Sequence, residues 1–216
     1  MRKIIKGDID LKNLYLTELF DLSDVEVTGR FDCMGNNLTN LKGSPHTVGR
    51  DFYCPCNNLT SLEGAPLIVG RGFYCNINNL TSLKGAPHTV GGDFFCSGNH
   101  LTNLEGAPET INRYFDCSNN NLTSLKGAPH TVSGTFFCNQ NNLTSLDGIP
   151  KIIGEDFWIS KNLKNIFPEK YIRTLSVITG AIHYVTANGI DEDINDEDHP
   201  EYDGDYVGDN NDDDDY

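Results

Sequence analysis

The residue types in this sequence that are best able to bind a metal or to react are cysteine and histidine, and both recur at fixed intervals. Six cysteines follow one another every 21 residues: Cys33, Cys54, Cys75, Cys96, Cys117 and Cys138. Thiols at regular intervals could bind a metal or exchange electrons, but thiols that face Phe and Leu neighbours inside a repeat are typically inert core residues. The sequence therefore predicts six buried, structural thiols. Cys56 lies outside the series, and we expect it to be exposed.

Three histidines form a second series. His46, His88 and His130 each follow a proline and recur every 42 residues, a spacing that invites a metal hypothesis. Side chains two repeats apart in a stacked fold are separated by roughly 10 Å, whereas zinc ligands lie about 2.0–2.1 Å from one shared ion. The sequence also lacks a phosphate-binding glycine loop and a nucleophile elbow. We therefore expect no metal site, no cofactor, no small-molecule substrate and no enzymatic activity.

The cysteines belong to a 21-residue repeat. Ile159 continues the cysteine series at a seventh position, and a Phe precedes each of these seven positions by two residues: Phe31, Phe52, Phe73, Phe94, Phe115, Phe136 and Phe157. An Asn follows each of the same seven positions by three residues, in the series Asn36, Asn57, Asn78, Asn99, Asn120, Asn141 and Asn162. Because Phe and Cys alternate with a variable residue, both point inward from a short strand, and stacked copies form a parallel sheet. We expect each Asn amide to bond to backbone groups of its own and adjacent repeats.

The unit Phe-x-Cys-x-x-Asn-Asn-Leu resembles the core pattern of the leucine-rich repeat, with Phe and Cys at its two strand positions. The segment that follows, Leu-Thr-Ser-Leu-x-Gly-Ala-Pro, is called here the arch and is similar to the short repeats of bacterial effector proteins. The whole unit resembles leucine-rich-repeat proteins of bacteriophages and prophages. The resemblance covers roughly residues 10–167. It implies a mostly β leucine-rich-repeat solenoid with a parallel concave sheet, an extended convex side and little helix.

Departures from the repeat predict the domain organisation. Residues 1–29 keep only part of the pattern and are interpreted as an N-terminal cap, and residues 30–166 as the solenoid. Residues 167–189 are interpreted as a C-terminal cap, with a helical turn from Pro168 and then a strand. Residues 190–216 contain fourteen acidic residues and no Lys or Arg, which predicts a disordered acidic tail.

The formal charge of −15 lies almost entirely in this tail. Without its fourteen acidic residues, the 31 of the chain become 17, against 16 basic residues. A neutral body does not attract nucleic-acid phosphate and an acidic tail repels it, so we expect no direct nucleic-acid binding. Charges along one edge alternate in sign and predict ion pairs between repeats, in the series Lys42, Glu63, Lys84, Glu105, Lys126 and Asp147.

The N-terminal twenty residues contain no apolar stretch of the length of a signal peptide or a membrane span. We therefore expect a cytoplasmic protein without a membrane partner, located in the host cytoplasm if a phage encodes it.

The residue between Phe and Cys points outward and is aromatic in five of seven repeats. The row comprises Asp32, Tyr53, Tyr74, Phe95, Asp116, Phe137 and Trp158, and Tyr114 lies two positions upstream of Asp116. Sheet faces in contact with water are ordinarily polar, so an exposed aromatic row favours a binding surface. The alternative is that the rings stack on one another and stiffen the sheet.

Two functional hypotheses follow. The first is a non-enzymatic module that captures a protein partner on its concave aromatic face, and the resemblance to phage proteins implies an inhibitor of a host or defence protein. In the second, the acidic tail, with Tyr202, Tyr206 and Tyr216, imitates nucleic acid and blocks a basic host protein. A merely solubilising tail explains the same composition.

Overall fold

The structure is a computed structural model that describes residues 2–186. The chain coils into a parallel β-solenoid of about 9 turns with little helix. The predicted acidic tail and residues 187–189 of the predicted C-terminal cap lie outside the described residues. The predicted fold class is confirmed at the level of a β-solenoid built from repeats of about 21 residues.

Each coil contributes one strand to a nine-stranded parallel sheet, called here the front sheet. In sheet order its strands are β2 (Ile9–Asp10), β4 (Phe31–Asp32), β6 (Phe52–Tyr53), β8 (Phe73–Tyr74), β10 (Phe94–Phe95), β12 (Phe115–Asp116), β14 (Phe136–Phe137), β16 (Phe157–Ser160) and β18 (Ile182–Val185). Each Phe from Phe31 to Phe136 pairs with the Phe of the next coil, as Phe52 does with Phe73, whereas Phe157 pairs with Ile182. The register of the front sheet therefore follows directly from the 21-residue spacing.

A second strand in each coil builds two smaller parallel sheets, called here the back sheets. The first contains β1 (Lys3–Ile5), β3 (Val25–Val27), β5 (Thr47–Val48), β7 (Ile68–Val69) and β9 (Thr89–Val90). The second contains β11 (Thr110–Ile111), β13 (Thr131–Val132), β15 (Ile152–Ile153) and β17 (Val177–Ile178). The wall that the sequence predicted as extended thus consists of very short paired strands.

The core consists of stacked columns of identical residues. The seven Phe side chains are fully buried, and their ring centroids lie between 5.2 Å (Phe31–Phe52) and 5.8 Å (Phe136–Phe157) apart. The six cysteines of the repeat are buried and unbonded to one another, as predicted. Burial raises the pKa of the Cys54 thiol well above its ordinary value, and its Sγ donates to the Tyr74 carbonyl at 3.2 Å. These thiols therefore stay protonated and unreactive, and they serve as packing residues of the core.

Six of the seven repeat asparagines, from Asn36 to Asn141, form the predicted ladder, whereas Asn162 is exposed in a 3-10 helix (Lys161–Leu163). The Asn78 Nδ2 donates to the carbonyl of Cys54 in the preceding coil (3.0 Å) and to that of Cys75 (3.2 Å). Its Oδ1 accepts the Leu59 N–H at 2.9 Å. The same three bonds recur at Asn57, Asn99, Asn120 and Asn141. One side chain per coil thus satisfies backbone groups that the two-residue strands leave unpaired.

Both predicted caps contain strands that continue the solenoid. At the N-terminus, β1 pairs with β3 and β2 pairs with β4, so residues 2–24 form a first coil. At the C-terminus, a 3-10 helix (Lys161–Leu163) and α1 (Glu169–Leu175) replace the usual arch, and Pro168 is the N-cap of α1 as predicted. Ile172 and Phe167 are buried against the last coil, which is thereby covered.

Candidate partner-binding face

The outward residues of the front sheet lie in one continuous column, called here the outward column. The strand register aligns the seven predicted positions and adds one residue at each end, giving the order Asp10, Asp32, Tyr53, Tyr74, Phe95, Asp116, Phe137, Trp158 and His183. The sequence reasoning missed Asp10 and His183. Asp10 could have been found from its spacing of 22 residues to Asp32, but His183 follows Trp158 by 25 residues across the helical insertion.

Three consecutive rings of the column form a first aromatic cluster. Tyr53 and Tyr74 are stacked with centroids 4.5 Å apart, and Phe95 meets Tyr74 edge to face at 5.3 Å. The Tyr74 ring lies over Gly72, where a Cβ would come within 2.4 Å of the ring. The Tyr74 hydroxyl donates to Asp93 Oδ2 at 3.4 Å. The space above Gly72, which has no side chain, and the hydrogen bond to the buried Asp93 carboxylate therefore fix the position of the Tyr74 ring.

A second aromatic cluster begins one coil further along. The centroids of Phe137 and Trp158 lie 5.7 Å apart, and those of Trp158 and His183 lie 4.4 Å apart. The His183 Nε2 lies 3.2 Å from Asp156 Oδ2, within reach of an ion pair when the imidazole is protonated. Trp158 is thus enclosed by a ring on either side.

The expectation of an exposed row is wrong for four of the predicted site residues. Tyr74 and Trp158 are only 8% and 9% exposed, and Asp32 and Asp116 only 6% and 1%. Large rings one strand spacing apart, about 4.8 Å, cover one another's faces, so the column shields itself. Tyr53, Phe95, Phe137 and the flanking Tyr114 are half-buried. The accessible aromatic surface of this face therefore consists mainly of these four rings.

Tyr114 extends the face to one side of the outward column. Its backbone N–H donates to Asp93 Oδ1 at 3.1 Å. The Arg113 guanidinium lies 5.3 Å from the Tyr114 ring centroid and 3.6 Å from Asp93 Oδ2. Asp93 thus joins Tyr74, Arg113 and Tyr114 in one polar contact network beside the first aromatic cluster.

The two predicted aspartates hold turns. Asp32 Oδ1 accepts the Met34 N–H at 3.0 Å, and Asp116 Oδ1 accepts the Ser118 N–H at 2.8 Å. Burial raises the pKa of Asp32. With 1% exposure, Asp116 separates the two aromatic clusters and presents almost no surface to a partner.

Other chemistry is sparse. Between residues 2 and 186, no group of three or more His, Cys, Asp or Glu residues is arranged to hold a metal ion. Cys56 is exposed as predicted, and desolvation by neighbouring atoms raises the pKa of its thiol, so its environment does not activate it. No helix among the described residues is long and apolar enough to cross a membrane.

Two shallow depressions lie beside the back sheets, one lined by Lys151 and Arg173 and the other by Glu109 and His130.

The coil geometry defines a class: this is a repeat protein with a parallel β-solenoid fold. No protein-family model matches the chain, and no curated protein is significantly similar to it in sequence.

Proposed function

We propose that this protein is a non-enzymatic binding module that captures a protein partner on the aromatic face of the front sheet. The observation that carries the proposal is a contrast between the outward column of the front sheet and the outward positions of the back sheets. In the back sheets the corresponding positions are Thr47, Ile68, Thr89, Thr110, Thr131, Ile152 and Val177, of which four are threonine and none is aromatic. Two-residue parallel strands therefore fold without outward rings, which supports a role for the aromatic residues of the front sheet beyond strand pairing.

Stacking and binding are compatible roles for these rings. Tyr53 and Phe95 each lie against Tyr74, so their side chains are already ordered before a partner arrives. An ordered ring loses little conformational entropy on binding, and aromatic residues dominate the energetics of protein interfaces. Tyr74 and Trp158 act as buried supports, and the half-buried rings act as the anchors.

Acidic side chains border the anchors. Asp51 and Asp93 flank the first aromatic cluster, and Asp156 flanks the second. Each carboxylate accepts the backbone N–H of the next coil through Oδ1. The Oδ2 atoms of Asp93 and Asp156 already contact Arg113 and His183, so a basic group of the partner would bind mainly at Asp51. We infer a partner surface that is apolar at its centre and carries Lys or Arg at its rim.

The resemblance of the repeat to leucine-rich-repeat proteins of bacteriophages and prophages supports a more specific proposal. On that basis the partner is a host or defence protein, the interaction inhibits it, and the protein acts in the host cytoplasm. Leucine-rich-repeat solenoids offer extended surfaces that suit such capture.

The second candidate function, a nucleic-acid mimic, rests on residues 190–216, which carry fourteen acidic residues and no basic one. Such a segment attracts basic proteins over a range set by the salt concentration. It predicts capture that is lost when the tail is removed and that weakens steeply with added salt, whereas capture by the aromatic face survives tail removal.

The test is affinity capture from the native cellular context with the intact protein and with matched variants. Phe95→Ala removes a half-buried anchor, and we expect partner affinity to fall about 30-fold, the loss typical of a central interface residue. Leu67→Ala removes an aliphatic side chain that is 44% exposed beside the back sheets, away from the aromatic face, and should leave binding unchanged. Unchanged capture by Phe95→Ala would place the binding face elsewhere.

Stability measurements separate binding from folding. Phe95→Ala removes the edge-to-face contact with Tyr74, and we expect a loss of about 1–2 kcal/mol. Phe94→Ala opens a cavity in the fully buried Phe column and should cost about 3–5 kcal/mol. Equal losses for the two variants would mean that the outward ring is as structural as the inward one.

A further inference from the structure

The front sheet has two borders of different character. Where the chain enters the strands, the border carries charges, among them Asp51, Asp93 and Arg113. Where the chain leaves the strands, one turn residue from each coil forms a second border, called here the turn column: Asn13, Gly35, Cys56, Ile77, Gly98, Asn119 and Gln140. None of these seven residues is charged. The aromatic face therefore lies between a charged border and an uncharged one.

The turn column has a left-handed backbone throughout. Its seven φ angles lie between 50° and 67°. Gly and Asn, which tolerate this conformation best, occupy four of the positions. Ile77 has a φ of 54°, although a β-branched side chain clashes with the backbone there. Ile77 therefore carries a conformational strain that an asparagine at the same position would largely avoid.

The folded chain gains little from this side chain. Ile77 is 57% exposed, and Cys56, its neighbour in the preceding coil, is exposed as well. In the next coil stands Gly98, where a Cβ would lie 3.5 Å from Ile77 Cγ1, so glycine leaves this flank of Ile77 uncovered. A single exposed apolar residue is common on protein surfaces, but here it also occupies a strained position. Packing within the folded chain does not account for that combination.

Ile77 lies close to the first aromatic cluster. It follows Tyr74 by three residues, so the two Cα atoms are at most about 10 Å apart. Tyr74 and Phe95 are neighbours on adjacent strands, about 4.8 Å apart. A standard interface covers about 800 Å² on each partner, which is a patch roughly 30 Å across. A patch of that size centred on Phe95 therefore reaches Ile77.

We propose that Ile77 is an apolar anchor of the partner-binding face and fixes the orientation in which the partner binds. This inference rests on the proposed function of the aromatic face. The partner then carries a basic group opposite Asp51 and an apolar surface opposite Ile77. The reversed orientation would bury the basic group against the uncharged border without a counter-charge, which is unfavourable. The strain at Ile77 is thus retained for partner recognition.

The first half of the test is thermal stability. Ile77→Asn introduces the residue that Asn119 supplies at the same position two coils later, and we expect it to raise Tm by about 2–4 °C by relieving the strain. The matched control is Ile68→Asn. Ile68 is 43% exposed in β7 of the back sheet, where asparagine is unfavourable in a strand, so the same exchange should lower Tm.

The second half is binding. The probe is the protein that the wild type captures and that Phe95→Ala fails to retain, purified and titrated against each variant by calorimetry. We expect Ile77→Asn to weaken its binding about tenfold, although this variant is the more stable protein. Ile68→Asn should bind as the wild type does. Ile77→Leu keeps the apolar surface without the branch at Cβ and should retain most of the affinity.

The outcomes separate this inference from the proposed function. Wild-type affinity of Ile77→Asn, together with loss of binding by Phe95→Ala, would overturn the role of Ile77 and leave the aromatic face standing. A fall in Tm for Ile77→Asn would show that Ile77 stabilises the fold, which contradicts the proposal. If the wild type captures no protein, or Phe95→Ala binds normally, the proposed function fails and the role of Ile77 fails with it.

Discussion

The asparagine ladder can be tested at a single position in the middle of the solenoid. Asn78→Ala leaves the buried Leu59 N–H without its acceptor and removes one donor from each of the carbonyls of Cys54 and Cys75. An unsatisfied buried N–H costs about 1–3 kcal/mol, and each lost hydrogen bond adds about 0.5–1.5 kcal/mol. The carbonyl of Cys54 keeps the Nδ2 of Asn57 as a donor, so the effects do not add in full. We expect a total loss of about 2–5 kcal/mol.

The assay is equilibrium unfolding in urea, supported by thermal melts. For a chain of this size, 2–5 kcal/mol corresponds to a fall in Tm of roughly 5–15 °C. Asn79→Ala is the matched control, because Asn79 is exposed and its backbone N–H, which donates to the Leu59 carbonyl at 2.9 Å, is kept. If the two variants differ by less than about 0.5 kcal/mol, the ladder does not stabilise the fold as argued.

An isosteric change separates hydrogen bonding from shape. Asn78→Asp keeps the size of the side chain, but an ionised carboxylate cannot donate to the carbonyls of Cys54 and Cys75. Burial beside carbonyl oxygens should raise the pKa of the new carboxyl in the folded state above its unfolded value. Its destabilising effect should therefore be smallest at low pH, where the group is protonated and can donate, and should grow as the pH rises through the folded-state pKa.

Three further predictions concern the thiols, an outward aspartate and the tail. Cys96→Ser should lower the free energy of unfolding by about 1–3 kcal/mol. The loss should be at the lower end of this range if the hydroxyl donates to the Asp116 carbonyl, as the thiol does at 3.3 Å. Cys56→Ser, at an exposed position, should change the free energy of unfolding little. Burial raises the pKa of Asp32 and penalises its charged form. Asp32→Asn should therefore increase the free energy of unfolding near neutral pH and lose this advantage in acid, where Asp32 is protonated. Urea unfolding at neutral and at acidic pH measures the difference. Deletion of residues 190–216 should change Tm by less than about 5 °C in a thermal melt, and a larger fall would mean that the tail packs on the solenoid.

The repeat made the interior of the fold predictable. A strict spacing fixes the register, and in a parallel stack the register decides which residues share a column. The inward Phe and Cys columns and the ladder formed by residues such as Asn78 therefore follow from the sequence. These positions repeat because each coil meets the same two neighbours, so one physical argument covers all of them.

The ends and the exposed edges could not be predicted in the same way. The first coil has Leu14 at the ladder position, and a helical insertion separates Trp158 from its neighbour His183, so the period fails at both places. The alternating charge series was also a poor guide. Of its neighbouring pairs, within the described chain, only Lys42 and Glu63 form an ion pair, at 3.1 Å. Exposed charges of this kind gain little from pairing, so regular spacing does not ensure contact.

The turn after each inward cysteine shows where the repeat tolerates strain. The second residue after the cysteine has a positive φ in successive coils, as in Cys56 (53°), Ile77 (54°) and Gly98 (63°). A β-branched residue rarely adopts this conformation. The Ile77 N–H is held by the Ser97 carbonyl at 2.9 Å, so the bond to the next coil imposes the conformation on whichever residue stands there. The repeat therefore shows no fixed glycine at a position that would favour one.

The overestimated exposure of the aromatic row has a consequence for the proposed binding face. The sequence identified the outward position correctly, but the accessibility of a ring depends on its neighbours, such as Gly72, which leaves room for the Tyr74 ring to lie flat. Because the column covers much of its own surface, a partner that contacted this column alone would bury too little area for a stable complex. The proposed interface must therefore extend beyond the column to flanking positions such as that of the half-buried Tyr114. Substitutions there should weaken partner binding as Phe95→Ala does, whereas a partner confined to the column would leave them neutral.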